Sequence, residues 1–126
     1  MQSESLHPRD KVQIAQGRRA MPDAGSIAAL ARIFAALGDV TRLRIVAALS
    51  QGPLCVGDLA ELLGLSLSAV SHQLRLLRAT GVIRSERQGR HVLNSLDDGH
   101  IITIYRGGLD HVRHGLALPD LGERDE

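Results

Sequence analysis

From residue 27 onward the apolar positions of this chain fall at helical spacing. Ile27, Leu30, Ile33, Phe34 and Leu37 recur at three- and four-residue steps, the period of one helix face. Ser26 can cap that helix and Gly38 can stop it. Asp39 can cap a second helix carrying Leu43, Ile45, Val46 and Leu49, which ends before Gly52-Pro53. A third runs from about Val56 to Leu63, with Leu59, Leu62 and Leu63 apolar, and Gly64 ends it. Ser66 or Ser68 caps a fourth, which reaches about Thr80 with Val70, Leu74 and Leu77 facing inward. Gly81 ends that one.

The period then changes. Val82 to Arg87 and Arg90 to Leu96 read as strands joined at Gln88-Gly89, so a β-hairpin with a basic tip is expected. Asp97 or Asp98 caps a last helix to about His114, carrying Ile101, Ile104, Tyr105, Leu109 and Val112. The pattern predicts a mainly α fold with a β-hairpin wing, over residues 23–115. Flexible tails are expected on both sides, residues 1–22 and residues 116–126. The first is polar, with Pro8, Gly17 and Pro22, and a short helix at Arg9–Gln16 is the alternative there. The second ends in acids after Pro119.

Composition narrows the function classes. The 126 residues, 44% of them apolar, suffice for one domain with a core, and a chain this small is often helped by a partner subunit. The net charge of +1 implies little, but Lys11 is the single lysine among 15 basic residues. Arginine is the better fork for phosphate and guanine. The one cysteine, Cys55, excludes an intrachain disulfide and a Cys-rich zinc finger, and it fits a reducing compartment. No apolar run approaches the ~18 residues of a membrane span. The N-terminal stretch MQSESLHPRDK lacks the apolar run of a signal peptide. A cytoplasmic protein without a membrane partner is expected. Tyr105 and Phe34 are its only aromatics, too few for stacking on single-stranded bases.

A short helix, a turn at Gly64 and a longer helix form a helix-turn-helix arrangement. The second helix carries Ser66, Ser68, Ser71, His72, Gln73, Arg75 and Arg78 on its non-core faces. Short hydroxyls and an amide near a helix start allow close approach to base edges and phosphates in a major groove. Between Ser66 and His91 five arginines stand against the single acid Glu86, the electrostatic footprint of a double-stranded DNA binder. The tip Arg87-Gln88-Gly89-Arg90 can reach the backbone or the neighbouring minor groove. Taken singly, any of these arginines fits an ordinary solvated face; the sequence of elements around them favours DNA. Arg42 and Arg44 are explained equally well by packing.

The last helix holds Asp98, His100, His111 and His114. Two or three histidines with a carboxylate suit Zn(II) or Co(II) in tetrahedral geometry. At 1.5 Å per residue, His100 and His111 lie roughly 16 Å apart along one helix, so one helix cannot bring both pairs to one ion. Two antiparallel copies can, giving two identical sites in a homodimer. Each residue alone also has a plainer reading, Asp98 as a helix cap and the histidines as solvated surface groups. His72 reads as DNA-facing and His91 as part of the wing. His7 lies in the first tail, and a six-coordinate Ni(II) could recruit it.

These residues carry a family resemblance. The chain resembles the ArsR/SmtB family of winged-helix bacterial metalloregulators, over about Ser26 to Gly115. The resemblance rests on Ala36 to Ile45 (ALGDVTRLRI), Asp58-Leu59-Ala60, Ser68 to Leu74 (SAVSHQL), and the wing around Arg87 to Arg90. It implies a homodimeric winged helix-turn-helix repressor, not an enzyme. The apo dimer would bind operator DNA and be released by Zn(II) or Co(II). Asp98, His100, His111 and His114 would be the ligands, similar to the interfacial site of the zinc- and cobalt-sensing branch. Ser68, Ser71, His72, Gln73, Arg75, Arg87 and Arg90 would contact DNA. Members that sense soft toxic metals use a Cys-x-Cys near the third helix. Here that stretch is Leu54-Cys55-Val56-Gly57-Asp58, so one thiolate is absent and Cys55 reads as a small apolar residue. A nickel-sensing repressor and a metal-independent regulator of the same fold remain open. A metallohydrolase is disfavoured, because four protein ligands leave no position for water.

Overall fold

Where a polar tail was expected, a helix stands. The computed structural model describes residues 8–115, with α1 (Pro8–Ala20), α2 (Ala24–Leu37), α3 (Val40–Leu49), α4 (Val56–Leu63), α5 (Leu67–Ala79), β1 (Ile83–Gln88), β2 (His91–Leu96) and α6 (Gly99–Gly115). Two compact units divide the chain, residues 1–32 and residues 33–126.

In the first unit, α1 replaces the tail expected over residues 1–22 and extends beyond the alternative Arg9–Gln16. Ala, Gln and Arg are good helix formers. Asp10 in the first turn and Arg18 and Arg19 in the last complement the helix dipole. No apolar stripe announces α1, because Val12 and Ile14 stay exposed. The cap of α2 is Asp23, not Ser26. Its Oδ2 accepts from the Ser26 backbone N–H at 3.0 Å and its Oδ1 from the Ser26 hydroxyl at 2.8 Å. These bonds hold the Asp23 carboxyl below the usual carboxylate range. Residues 1–7 and 116–126, where the rest of both expected tails falls, lie outside the described residues, and so does His7.

The second unit is built as the apolar pattern predicts. Asp39 caps α3, accepting from the Arg42 backbone N–H at 3.1 Å, and Ser66 caps α5 through Ala69 at 3.1 Å. Gly64 ends α4 with φ +70°, a left-handed conformation that glycine adopts without Cβ strain. Ile45, Val46, Leu59, Val70, Leu77, Val82 and Ile83 form the buried centre, drawn from α3, α4, α5 and the start of the wing. Each large side chain sealed there contributes about 1.5–3 kcal/mol relative to exposure.

The hairpin pairs antiparallel from Ile83 with Leu96 to Gln88 with His91. Its turn residues are therefore Gly89-Arg90, one position later than expected, with Gly89 at φ +64° in the first place. One contact lies beyond what alternation predicts. Leu54, just before α4, exchanges both backbone hydrogen bonds with Asn94 of β2, at 3.0 and 2.9 Å. This hangs the wing on the segment that leads into the helix-turn-helix.

Candidate functional site

The reading helix α5 presents three classes of side chain. Ser68, His72 and Arg75 are exposed on its open side, Ser71 is half-buried on one flank, and Gln73 is half-buried on the other. Val70, Leu74 and Leu77 hold the helix down. Arg87 and Arg90 stand exposed at the wing tip with His91. The structure thus brings Ser68, Ser71, His72 and Arg75 onto one element and Arg87 and Arg90 onto another. Gln73 differs from the DNA contact expected of it, because its Oε1 is occupied. Arg42 Nη1 donates to it at 3.2 Å. Arg42 Nε also donates to the Ala36 carbonyl at 2.8 Å, and Arg44 Nη2 donates to the Leu63 carbonyl at 3.5 Å. Both arginines therefore serve helix C-termini, whose carbonyls lack intrahelical partners.

Sequence reasoning missed the device that aligns α5 with the wing. Asn94 is 2% exposed and is the only buried polar residue among the described ones. Its Nδ2 donates to the Leu54 carbonyl at 3.2 Å, and its Oδ1 accepts from the Ser85 hydroxyl at 2.7 Å. Ser85 in turn accepts from Arg78 Nη1 at 2.9 Å. The chain Arg78–Ser85–Asn94–Leu54 joins the reading helix, both wing strands and the lead-in to α4. An asparagine in an alternating strand was its one sequence signal. A cleft of about 280 Å³ lies above it, with Ser71, Arg75 and Arg78 on its wall.

The four expected metal ligands are split between the ends of α6. Asp98 and His100 meet at the start. Asp98 Oδ1 accepts from the His100 backbone N–H at 2.9 Å, and Oδ2 lies 3.2 Å from His100 Nδ1. The bonds from the His100 side chain and backbone hold the Asp98 carboxyl below its ordinary range. Asp98 thus bonds the first turn of α6 and stands beside the His100 ring. The His100 side chain is 92% exposed. His111 and His114 stand exposed in the last turns, about 16 Å further along. Among the described residues no group of three or more His, Cys, Asp or Glu can hold a metal within one chain. These donors are of a kind that binds divalent ions, and each end of α6 brings together only one pair of them. Cys55 is half-buried as the residue before α4, with no side-chain capping bond, and it does not join these residues.

Between those ends α6 lines an apolar groove of about 400 Å³ with Phe34, Leu37, Leu43, Ile104, Tyr105, Leu109 and Val112. Phe34 is 51% and Leu43 40% exposed, although both occupy the apolar stripes of their helices. Among the described residues no single helix is long and apolar enough to cross a membrane.

Comparison with known proteins agrees with this arrangement. Residues 39–85 match the family described as bacterial regulatory protein, arsR family. The chain is 42% identical over 105 residues to a protein named transcriptional repressor SmtB homolog from Synechocystis sp., covering 81% of this chain and 80% of that one. It is 41% identical over 99 residues to the HTH-type transcriptional regulator NmtR of Mycobacterium tuberculosis, covering 78% and 82%. The solution structure of apo-NmtR superposes with a TM-score of 0.67 at 40% identity, over 82% of this chain and 88% of that one. With a reading helix, a basic wing and these relatives, the chain is a DNA-binding transcriptional regulator of winged helix-turn-helix fold, not an enzyme, and it belongs to the bacterial arsR family.

Proposed function

We propose that this chain is a cytoplasmic, metal-responsive repressor, which binds a palindromic operator as an apo homodimer and releases it on binding Zn(II) or Co(II). The observation that carries this reading is the split of Asp98 and His100 from His111 and His114 along one exposed helix. Two α6 helices running antiparallel across the Phe34–Ile104–Leu109 groove would bring the first pair of one chain to the second pair of its twin. The groove supports the same arrangement, since apolar surface of this kind is what a dimer covers. Bound there, a divalent ion would supply short bonds that tie two chains together.

The residues of the chain do the rest. Ser68, Ser71, His72 and Arg75 address the major groove, while Arg87 and Arg90 hold phosphate or minor groove from the wing. In this reading Gln73 is held by Arg42 on the flank of α5 and does not address the groove. Any effect of metal on operator affinity is matched by an equal effect of operator on metal affinity. A ten- to hundred-fold release corresponds to about 1.4–2.8 kcal/mol of coupling.

The test is a titration of Zn(II), Co(II) and Ni(II) into the apo dimer bound to a labelled duplex carrying its own promoter. His100→Ala and His111→Ala are titrated in parallel. Release at one Zn(II) per chain, with both variants staying bound, supports the reading. Zinc that leaves DNA affinity unchanged defeats it and favours a metal-independent regulator. Release by Ni(II) with an octahedral absorption spectrum transfers the sensing role to nickel.

A further inference from the structure

Arg42 sits where three helices meet. Its backbone N–H is fixed by the Asp39 carboxylate at 3.1 Å, so the base of its side chain cannot slide. Its guanidinium then spans from the Ala36 carbonyl in the last turn of α2, at 2.8 Å, to Gln73 Oε1 on α5, at 3.2 Å. A guanidinium carries donors only, so the Gln73 atom facing it has to be the carbonyl oxygen. The Ala36 carbonyl is one that a helix end leaves unpaired, and a cation there also suits the helix dipole. Gln73 lies 100° around α5 from His72, on the flank toward α3 and away from Ser68 and Arg75. The bridge therefore joins the reading helix to the turn of α2 beside Leu37, which lines the apolar groove.

We propose that Arg42 is a positioning residue. The Ala36–Arg42–Gln73 bridge sets where α5 stands relative to the face that pairs two chains, and so sets the half-site spacing that the dimer accepts. On this assignment Gln73 acts on spacing, and base identity is read by its neighbours. The physical reason is geometric. Adding one base pair between half-sites moves them apart by about 3.4 Å and rotates one by about 35°. A dimer whose reading helices are fixed to its pairing face cannot follow that change, and a dimer with loosened helices follows it in part. The inference rests on the reading of the chain as a DNA-binding dimer.

The experiment uses the full chain and a duplex that the wild type selects from a random library. Derivatives of that duplex have one base pair inserted or removed between the half-sites. Wild type is expected to lose affinity for these by about tenfold or more, a difference of about 1.4 kcal/mol. Arg42→Met is expected to cut that discrimination below about threefold while its base preference within each half-site stays the same. Gln73→Leu, which leaves the Ala36 bond intact, should do likewise and serves if Arg42→Met does not fold. Gln73→Glu keeps an acceptor for Arg42 and should retain wild-type spacing discrimination, with its loss of affinity spread evenly over the spacings. A merely structural role would lower affinity equally at all spacings in Arg42→Met and Gln73→Leu, and that result overturns the proposal. A changed base preference in Gln73→Glu overturns it as well, since Gln73 would then read DNA directly. A wild type that selects no two-half-site duplex defeats the dimeric DNA-binding reading itself, a result distinguishable from loss of the bridge alone.

Discussion

The reading head and the two ends of α6 are organised in opposite ways. Around α5 the positioning contacts are Arg42 on one flank, and Arg78, Ser85 and Asn94 on the other. At the ends of α6 the side chains of Asp98, His100, His111 and His114 stand exposed, and Asp98 and His100 are bonded to each other. In the proposed reading a switch would benefit from that division: the part that recognises DNA would keep its shape in either state, and the signal would act at the ends of α6 on how two chains are held.

The sharpest way to break the contrast is to separate the chains. Phe34→Glu places a charge in the apolar groove without touching the core. Sedimentation should show a folded monomer, and affinity for a two-half-site duplex should fall by about a hundredfold or more as the second contact becomes intermolecular. A stable dimer with unchanged affinity would mean that the groove is not the pairing face. Asn94→Leu attacks the self-contained region instead. It removes the acceptor of the Ser85 hydroxyl and one of the two donors to the Leu54 carbonyl, and denaturant unfolding should report a loss of about 1–3 kcal/mol. The wing should lose its register with α5, and the salt dependence of DNA binding should flatten by about one counterion for each of Arg87 and Arg90 that disengages. An unchanged salt slope in a folded variant would show that the wing needs no such tether.

Asp23→Ala is the mildest change and concerns the first unit. Hydrogen bonds from Ser26 lower the Asp23 pKa from its ordinary value of 3.8. The carboxylate's contribution is therefore full above that value and is lost as pH falls through the lowered one. Helix content followed by circular dichroism from neutral to acid pH should show a small low-pH step in wild type, absent from a variant that already starts lower. Coincident curves would mean that the start of α2 needs no cap.

What could be read in the sequence follows from where the forces are local. The helices α3 to α5 announced themselves through apolar period and through Asp39, Gly64 and Ser66, because burial and capping act within a few residues. The wing was legible from alternation and Gly89. Helix α1 was legible only as the alternative at Arg9–Gln16, since it rests on propensity without a buried stripe. The Arg42–Gln73 bond was not legible, because it joins residues 31 positions apart. Asn94 shares a strand face with the buried Leu96, but nothing in its spacing names Leu54 and Ser85 as its partners. The candidate ligands Asp98, His100, His111 and His114 stand out as a set through their spacing, and their separation along α6 keeps the two pairs apart within one chain.

That separation has an evolutionary consequence. His100, His111 and His114 carry no packing duty, and only Asp98 doubles as a cap. In the proposed reading, substitutions at the three histidines would alter which ion is preferred while costing the fold almost nothing. Selection can thus retune the stimulus of such a regulator one residue at a time, while the genes it controls stay under the same reading head.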